Sequence, residues 1–189
     1  MGKKVGAEYI YNEKCRFRVW SPLAEDVKLL IKDKEIPVPL NKDEEGYWEA
    51  TVVNIPPGTY YKVQLDEEDV FPDPASREQP EGVHAWSQVA ASDDFEWTDS
   101  SWKGRELAEM VIYELHVGTF TTEGTFESIL DKLDHLEDLG VNTLELMPIA
   151  QFPGDRNWGY DGVYPFAAQE SYGGITSLKK LINTCHQRG

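Results

Sequence analysis

The sequence has only two cysteines, Cys15 and Cys185, and they lie near opposite ends of the chain. Neither belongs to a CxxC pair or to a spaced set of cysteines and histidines of the kind that binds zinc. Two isolated cysteines argue against a disulfide framework and against a zinc site. We therefore expect two free, buried thiols that behave as small apolar side chains.

Basic residues are also scarce, because 18 Lys and Arg stand against 34 Asp and Glu, giving a net charge of −16 over 189 residues. Nucleic acids and anionic membranes are bound by basic surfaces, so we expect neither as a partner. No run approaches the roughly 20 apolar residues of a membrane span, and the first residues lack the apolar core of a signal peptide. We expect a cytoplasmic protein whose ligands are neutral and rich in hydroxyl groups.

The first third of the chain alternates apolar and polar residues with a period of two. This alternation predicts four short strands, around Phe17 and Val19, over 27–31, over 48–52 and over 61–65. Turn-rich segments separate the four strands, as in an antiparallel β-sandwich. We therefore expect an all-β first domain.

An irregular connector, rich in proline and polar residues, runs from Pro72 to about Leu107, with one further strand predicted near Ser87. Arg77 and His84 lie in this connector, and we expect them to bridge the first domain to the second.

After the connector the pattern changes to strand, helix, strand, helix. The predicted elements are a strand over 110–117 buried on both faces, a helix from the N-cap Thr125 to Gly140, a strand over 143–149, and a helix with Leu178, Leu181, Ile182 and Cys185 on one stripe. This order predicts a parallel βαβα unit. Two parallel strands cannot bury both faces, so we expect the truncated first part of a larger α/β domain, whose open strand edge could drive self-association. A small doubly wound α/β domain is the rival fold.

The segment from Gln151 to Tyr172 leaves the carboxyl end of the second of these strands, where parallel α/β folds place their ligands. Trp158 and Tyr160 offer flat aromatic faces on which a pyranose ring stacks. The polar candidates for binding sugar hydroxyls on the same face are Asp155, Arg156, Asp161 and His116. The alternative for the two aromatic residues is packing against the rim, and for His116 a structural hydrogen bond.

Two acidic residues, Glu114 and Glu145, lie inside the two predicted strands and could approach the roughly 5 Å separation of a glycosidase pair. Both are mid-strand, however, whereas barrel enzymes place their chemistry at the carboxyl ends of strands. We therefore interpret them as structural, hydrogen-bonded carboxylates.

A sugar-binding platform on the first domain is a further hypothesis. Its candidate residues are Trp20, Trp48, Tyr60 and Tyr61. Trp48 alternates with core positions and is expected to be interior, which weakens this hypothesis.

Three segments of the second part resemble a known family. They are YELHVGTF at 113–120, LELMPIAQFP at 144–153 and NWGYDGV at 157–163, and they resemble the first two strands and following loops of the α-amylase superfamily of glycoside hydrolases. DPASR at 73–77 and QPEGVH at 79–84 are more similar to the malto-oligosyltrehalose trehalohydrolases than to the branching or debranching enzymes. The resemblance runs from about Phe17 to Gly189.

The resemblance implies an immunoglobulin-like β-sandwich over 1–90, a linker over 91–108, and the first two βα units of a TIM (β/α)8 barrel over 109–189. It implies a substrate that is a maltooligosaccharide or maltooligosyl-trehalose, with Tyr160 stacked on the sugar at the cleavage point. The family's catalytic carboxylates lie on later strands, beyond Gly189, so we assign no catalytic residue here and expect the chain alone to be inactive. No cofactor or metal is implied. The alternatives are a stand-alone glucan-binding or interaction module, or a fragment of a branching or debranching enzyme.

Overall fold

A computed structural model of the chain describes residues 3–67, 69–91 and 95–189. The first part consists of short antiparallel strands in two sheets. The strands are β1 (Gly6–Tyr11), β2 (Lys14–Trp20), β3 (Val27–Ile31), β4 (Val38–Pro39), β5 (Asn41–Lys42), β6 (Tyr47–Val52), β7 (Tyr60–Leu65), β8 (Asp69–Phe71) and β9 (Ser87–Gln88). One sheet has the order β1-β2-β6-β5, and the other has the order β4-β3-β7-β8 with β9 also paired to β7.

The sandwich core is built from the alternating residues that the sequence predicted. The inward side chains of β2, β3 and β7 are buried, and the rings of Phe17 and Tyr61 meet edge to face at 4.9 Å. The four predicted strands and the strand near Ser87 are therefore confirmed. Cys15 is a buried free thiol, and burial raises its pKa to about 12, whereas Cys185 is free and half-buried.

The segment after β8 is tightly bonded to the sandwich by buried polar side chains. Asp73 accepts hydrogen bonds from the Tyr61 hydroxyl and the Ala75 amide, both at 2.8 Å, and the Asp73 amide donates to the Ser87 hydroxyl at 2.9 Å. Burial raises the pKa of the Asp73 carboxyl. Arg77 donates to the Ala7 carbonyl of β1 at 2.7 Å, so the expected bridge is seen on the sandwich side. Among the described residues, Arg77 makes no hydrogen bond or ion pair with the second part.

The second part is a parallel strand pair covered by short helices. Its elements are β10 (Ile112–Leu115), α1 (Val117–Phe120), α2 (Phe126–Leu130), α3 (Leu133–Asp138), β11 (Thr143–Leu146), β12 (Ala150–Gln151), β13 (Tyr164–Ala168) and α4 (Gly174–Gln187), with 3-10 turns at Leu107–Glu109 and Glu170–Tyr172. β10 and β11 are parallel, and Glu114 is paired with Glu145. The predicted strand, helix, strand, helix order is confirmed.

The first predicted helix begins where expected and is divided in two. The Thr125 hydroxyl accepts from the Ser128 amide at 3.2 Å while the Ser128 hydroxyl accepts from the Thr125 amide, which forms a capping box. The helix is interrupted at residues 131–132, between α2 and α3, and α3 ends at Asp138, two residues before Gly140, whose φ is +83°. Glycine adopts this left-handed conformation without steric cost.

The strand pair is less buried than the sequence indicates. Leu115 is buried, but Val111, Ile112, Tyr113 and Glu114 are exposed. The prediction of a strand buried on both faces is therefore wrong for β10. A two-stranded sheet is too narrow for the short helices to cover it from both sides.

A buried hydrogen bond connects the segment after β8 to the second part. The Tyr164 hydroxyl of β13 donates to the Val83 carbonyl at 2.7 Å, and these two residues form a small buried cluster with Ala167. His84 lines a groove beside this contact, together with Pro153 and Val163, and it is exposed. Its role as a bridge between the two parts stays a prediction.

We expect the two parts to differ in local stability. Backbone amides of β10 should exchange with solvent faster than those of β2, because β10 belongs to an exposed two-stranded sheet. Native-state hydrogen exchange at a concentration where the chain is monomeric measures this difference. Equally slow exchange over 112–115 and 17–19 would show that the strand pair is as stable as the sandwich.

Stability should also depend on the ionisation of Glu78, a half-buried residue of the connector. Burial and the nearby charge of Glu170 together raise the pKa of its carboxyl from 4.5 to about 7, against the opposing effect of Lys179. A raised pKa means that the folded state retains a proton that the unfolded state has lost. The contribution of this retained proton to the free energy of unfolding is therefore complete below about pH 4.5, and it is lost as the pH rises through 7.

Glu78→Gln should remove this part of the pH dependence of the free energy of unfolding. Urea denaturation from pH 4.5 to pH 8 measures it, and Glu44→Gln, in the exposed turn before β6, is the matched control. Identical slopes for wild type and Glu78→Gln would contradict the assignment.

Candidate functional site

The predicted site residues lie around one cleft of about 630 Å³ at the carboxyl ends of β10 and β11. The cleft is lined by His116, Gly118, Thr119, Asp155, Arg156, Asn157, Trp158, Tyr160 and Asp161. All six residues selected from the sequence are in this set. Their roles in binding remain predictions.

The segment that carries most of these residues is closed at its base by β12 and β13. The Val163 amide donates to the Gln151 carbonyl at 2.8 Å, and the Gln169 amide donates to the Ile149 carbonyl at 2.8 Å. The prediction of one irregular loop from Gln151 to Tyr172 is therefore wrong in part, since strands form both of its ends.

Two buried glutamines, which the sequence analysis missed, hold this base together. Gln169 Oε1 accepts from the Phe152 amide at 2.9 Å, while Gln169 Nε2 donates to the Gly154 carbonyl at 2.9 Å. Gln151 Oε1 accepts from the Glu170 amide at 2.9 Å. Because both amide side chains are buried, their hydrogen bonds fix the chain strongly.

His116 follows β10 directly and reaches across to the other side of the cleft. Its Nε2 lies 2.6 Å from the Asn157 carbonyl oxygen, which can only accept, so Nε2 carries the proton. Nδ1 lies 3.1 Å from the Thr119 hydroxyl, on the other side of the ring. The Tyr172 hydroxyl donates to the same Asn157 carbonyl at 3.4 Å.

Trp158 and Tyr160 present their rings to solvent. Their side chains are 76% and 67% exposed, far more than packing against the rim would leave. Asp155 and Arg156 are exposed beside them, and neither side chain makes a hydrogen bond or an ion pair with another described residue. The cleft thus offers aromatic faces for stacking and unpaired polar groups for hydroxyls.

The strand carboxylates behave differently from the expectation. Glu114 and Glu145 are paired across β10 and β11, but both are exposed and neither side chain is hydrogen-bonded within the described ranges. The prediction of hydrogen-bonded structural carboxylates is therefore wrong. An exposed carboxylate is satisfied by water and needs no protein partner.

The aromatic residues of the sandwich do not form one platform. Trp48 is interior, as predicted, and Tyr61 is also buried, so the four-residue platform is wrong. Tyr60 is half-buried beneath Lys32 Nζ, which lies 4.5 Å from its ring centre. Trp20 is exposed and lines the separate groove of about 460 Å³ beside Val163.

Among residues 3–67, 69–91 and 95–189, no group of three or more His, Cys, Asp or Glu side chains is arranged to hold a metal ion. No helix in that part of the chain is long and apolar enough to cross a bilayer.

Two family models match the chain. The model described as carbohydrate-binding module 48 (isoamylase N-terminal domain) matches residues 4–87, and the model described as the alpha amylase catalytic domain matches residues 70–189. The chain belongs to the α-amylase family. The N-terminal sandwich followed by the start of an α-amylase catalytic domain confirms the fold class inferred from the sequence.

Individual relatives support the family assignment of this α-amylase family chain. It is 49% identical over 173 residues to the malto-oligosyltrehalose trehalohydrolase of Saccharolobus solfataricus, which is 92% of this chain and 30% of that protein. It is 42% identical over 176 residues to the malto-oligosyltrehalose trehalohydrolase of Arthrobacter ramosus, 92% of this chain and 31% of that protein. The chain spans about 30% of the length of these curated relatives.

A solved structure supports the fold assignment. A Salmonella typhimurium protein provisionally described as an alpha amylase superposes with a TM-score of 0.92 and 39% identity. The match covers 100% of this chain and 32% of that chain.

The close approach of the loop to Pro148 gives a test of the cleft geometry. A Cβ on Gly159, whose φ is +95°, would overlap the Pro148 carbonyl oxygen, whereas a Cβ on Gly154, with φ +78°, would have nothing within 4 Å. Gly154→Ala should cost only the strain of positive φ, about 1–2 kcal/mol. Gly159→Ala should cost more and should move the loop.

Urea denaturation measures the two free energies of unfolding, and amide chemical shifts over 155–161 report on the loop. Equal costs with unchanged shifts in both variants would show that the loop does not approach Pro148 as closely as the structure indicates.

Proposed function

We propose that this chain forms the glucan-recognising part of a retaining glycoside hydrolase that acts on α-1,4-glucans. The proposed substrate is maltooligosyl-trehalose, which is cleaved to release trehalose. The names of the relatives support the substrate, and the cleft at the carboxyl ends of β10 and β11 supports the recognition role.

The observation that carries the proposal is the exposed pair Trp158 and Tyr160 beside unpaired polar side chains. A pyranose has an apolar face that stacks on an aromatic ring and an equatorial rim of hydroxyls that seeks donors and acceptors. Arg156 offers donors, while Asp155 and Asp161 accept from hydroxyl groups. The ring of Tyr160 is proposed to hold the sugar at the cleavage point.

The residues of this cleft bind and orient the substrate and do not supply the bond-breaking pair. A retaining glycosidase needs two carboxyl groups about 5 Å apart, and one of them must keep its proton in an apolar pocket. Asp155 and Asp161 are both exposed, and Asp161 Oδ2 accepts a hydrogen bond from Asn157 Nδ2 at 2.8 Å. We therefore propose that the chain by itself binds glucan without turnover.

A second candidate function is glucan binding by the sandwich itself. The match of residues 4–87 to a carbohydrate-binding module and the exposure of Trp20 favour it. Trp20→Ala separates the two functions, since it should leave binding in the β10–β11 cleft unchanged.

Tyr160→Ala should weaken binding of maltotetraose to the chain. Loss of the stacking face should cost about 1–2 kcal/mol, which corresponds to about 5- to 30-fold in Kd. Titration followed by NMR chemical shifts measures the two affinities. Tyr11→Ala is the matched control, because Tyr11 is a comparably exposed tyrosine on β1.

Unchanged affinity in a folded Tyr160→Ala variant would remove the stacking role. Incubation of the chain with maltooligosyl-trehalose, followed by an assay for trehalose, tests the absence of turnover. Turnover that disappears in Glu114→Gln or Glu145→Gln would instead assign the chemistry to the strand carboxylates.

A further inference from the structure

We infer that Asn157 is the positioning residue that holds residues 157–161 in the shape that receives the sugar. The inference rests on the proposed function of the cleft, because it names the residue that orients Tyr160 and Asp161. It concerns a hydrogen-bond network that includes no group proposed to take part in bond breaking.

The side chain of Asn157 forms hydrogen bonds with two later residues of the loop, Gly159 and Asp161. Its Oδ1 accepts from the Gly159 amide at 2.7 Å, and its Nδ2 donates to Asp161 Oδ2 at 2.8 Å. These two bonds enclose Tyr160, the residue between Gly159 and Asp161. The backbone that carries Tyr160 is therefore restrained by bonds to both of its neighbours.

The backbone of Asn157 is fixed to the opposite side of the cleft. Its carbonyl accepts from His116 Nε2 at 2.6 Å and from the Tyr172 hydroxyl at 3.4 Å. Tyr172 is 2% exposed, and its ring packs edge to face on Phe126 and Phe152 at 5.8 Å and 5.7 Å. Asn157 thus connects the exposed loop to a buried aromatic cluster.

The aromatic side chains of the loop are not themselves held by hydrogen bonds. Trp158 and Tyr160 are mostly exposed, and neither side chain is hydrogen-bonded to another residue in the described part of the chain. Their orientation depends on the backbone that Asn157 fixes. A binding surface that is ordered before the ligand arrives loses less conformational entropy on binding.

The donor and the acceptor of the hydrogen bond between Asn157 and Asp161 can be exchanged by substitution. This exchange distinguishes a role in positioning the loop from a role in the stability of the whole chain. Asn157→Asp keeps an acceptor for the Gly159 amide but places two carboxylates against each other. Asp161→Asn in the same chain restores a donor and an acceptor with their positions exchanged. Asp161→Asn alone measures what the Asp161 charge contributes to sugar binding.

We expect Asn157→Asp to weaken maltotetraose binding about 10-fold at pH 7, and the N157D/D161N double variant to return to within about 3-fold of D161N. Without ligand, the Gly159 amide should lose its protection from exchange only if its bond to residue 157 is lost, as in Asn157→Ala.

Two results would overturn the inference: wild-type affinity in Asn157→Asp, or a loss that the reversal does not restore. If wild type binds maltotetraose and Tyr160→Ala weakens it while Asn157→Asp has no effect, the proposed function stands and the positioning role falls. If wild type does not bind maltotetraose, the proposed function fails and the inference fails with it. Hydrogen exchange of the sandwich in each variant shows that the chain remains folded.

Discussion

The hydrogen bonds of two buried glutamine side chains, Gln151 and Gln169, determine the shape of the segment on which the cleft depends. They satisfy backbone groups of Phe152, Gly154 and Glu170. These bonds hold the two ends of the segment together where β12 and β13 pair at only two positions. Buried backbone groups need such partners, and a side-chain amide supplies a donor and an acceptor at once. With the base closed, residues 155–161 connect its two sides, and five of the six candidate sugar contacts lie among them.

The sandwich supports this arrangement from outside the strand pair. The Tyr164 hydroxyl joins β13 to the Val83 carbonyl, and Asp73 joins the connector to Tyr61 of the sandwich core. Both bonds are buried, where a hydrogen bond is electrostatically stronger than in water. The two family models overlap over residues 70–87, the segment that contains both acceptors. This connector is therefore a packed part of the structure, although its sequence has the composition of a loop.

The parts of the fold that could be predicted are those with a regular hydrophobic period. The strands with buried alternate residues and the helix capped by Thr125 were predicted because the pattern is local. β1 was missed because its burial does not alternate, and β13 because Pro165 interrupts a run that pairs with β12 at only two positions. The six site candidates were found because their side chains are aromatic or charged and five of them lie together in sequence. Asn157 and Tyr172 were missed because their structural role depends on a contact with His116, which is distant in sequence. No local sequence pattern reveals such a contact.

The negative charge of the molecule restricts the charge of the ligands that can bind in the cleft. The chain carries a net charge of −16, and the cleft holds two carboxylates against the single guanidinium of Arg156. A phosphorylated sugar would meet repulsion both in the cleft and during its approach, since clefts concentrate the field of the surrounding charges. A neutral glucan meets none, and its hydroxyls can donate to the same carboxylates. The excess of acidic residues that argues against nucleic acid therefore also favours uncharged oligosaccharides over sugar phosphates as ligands for these exposed rings.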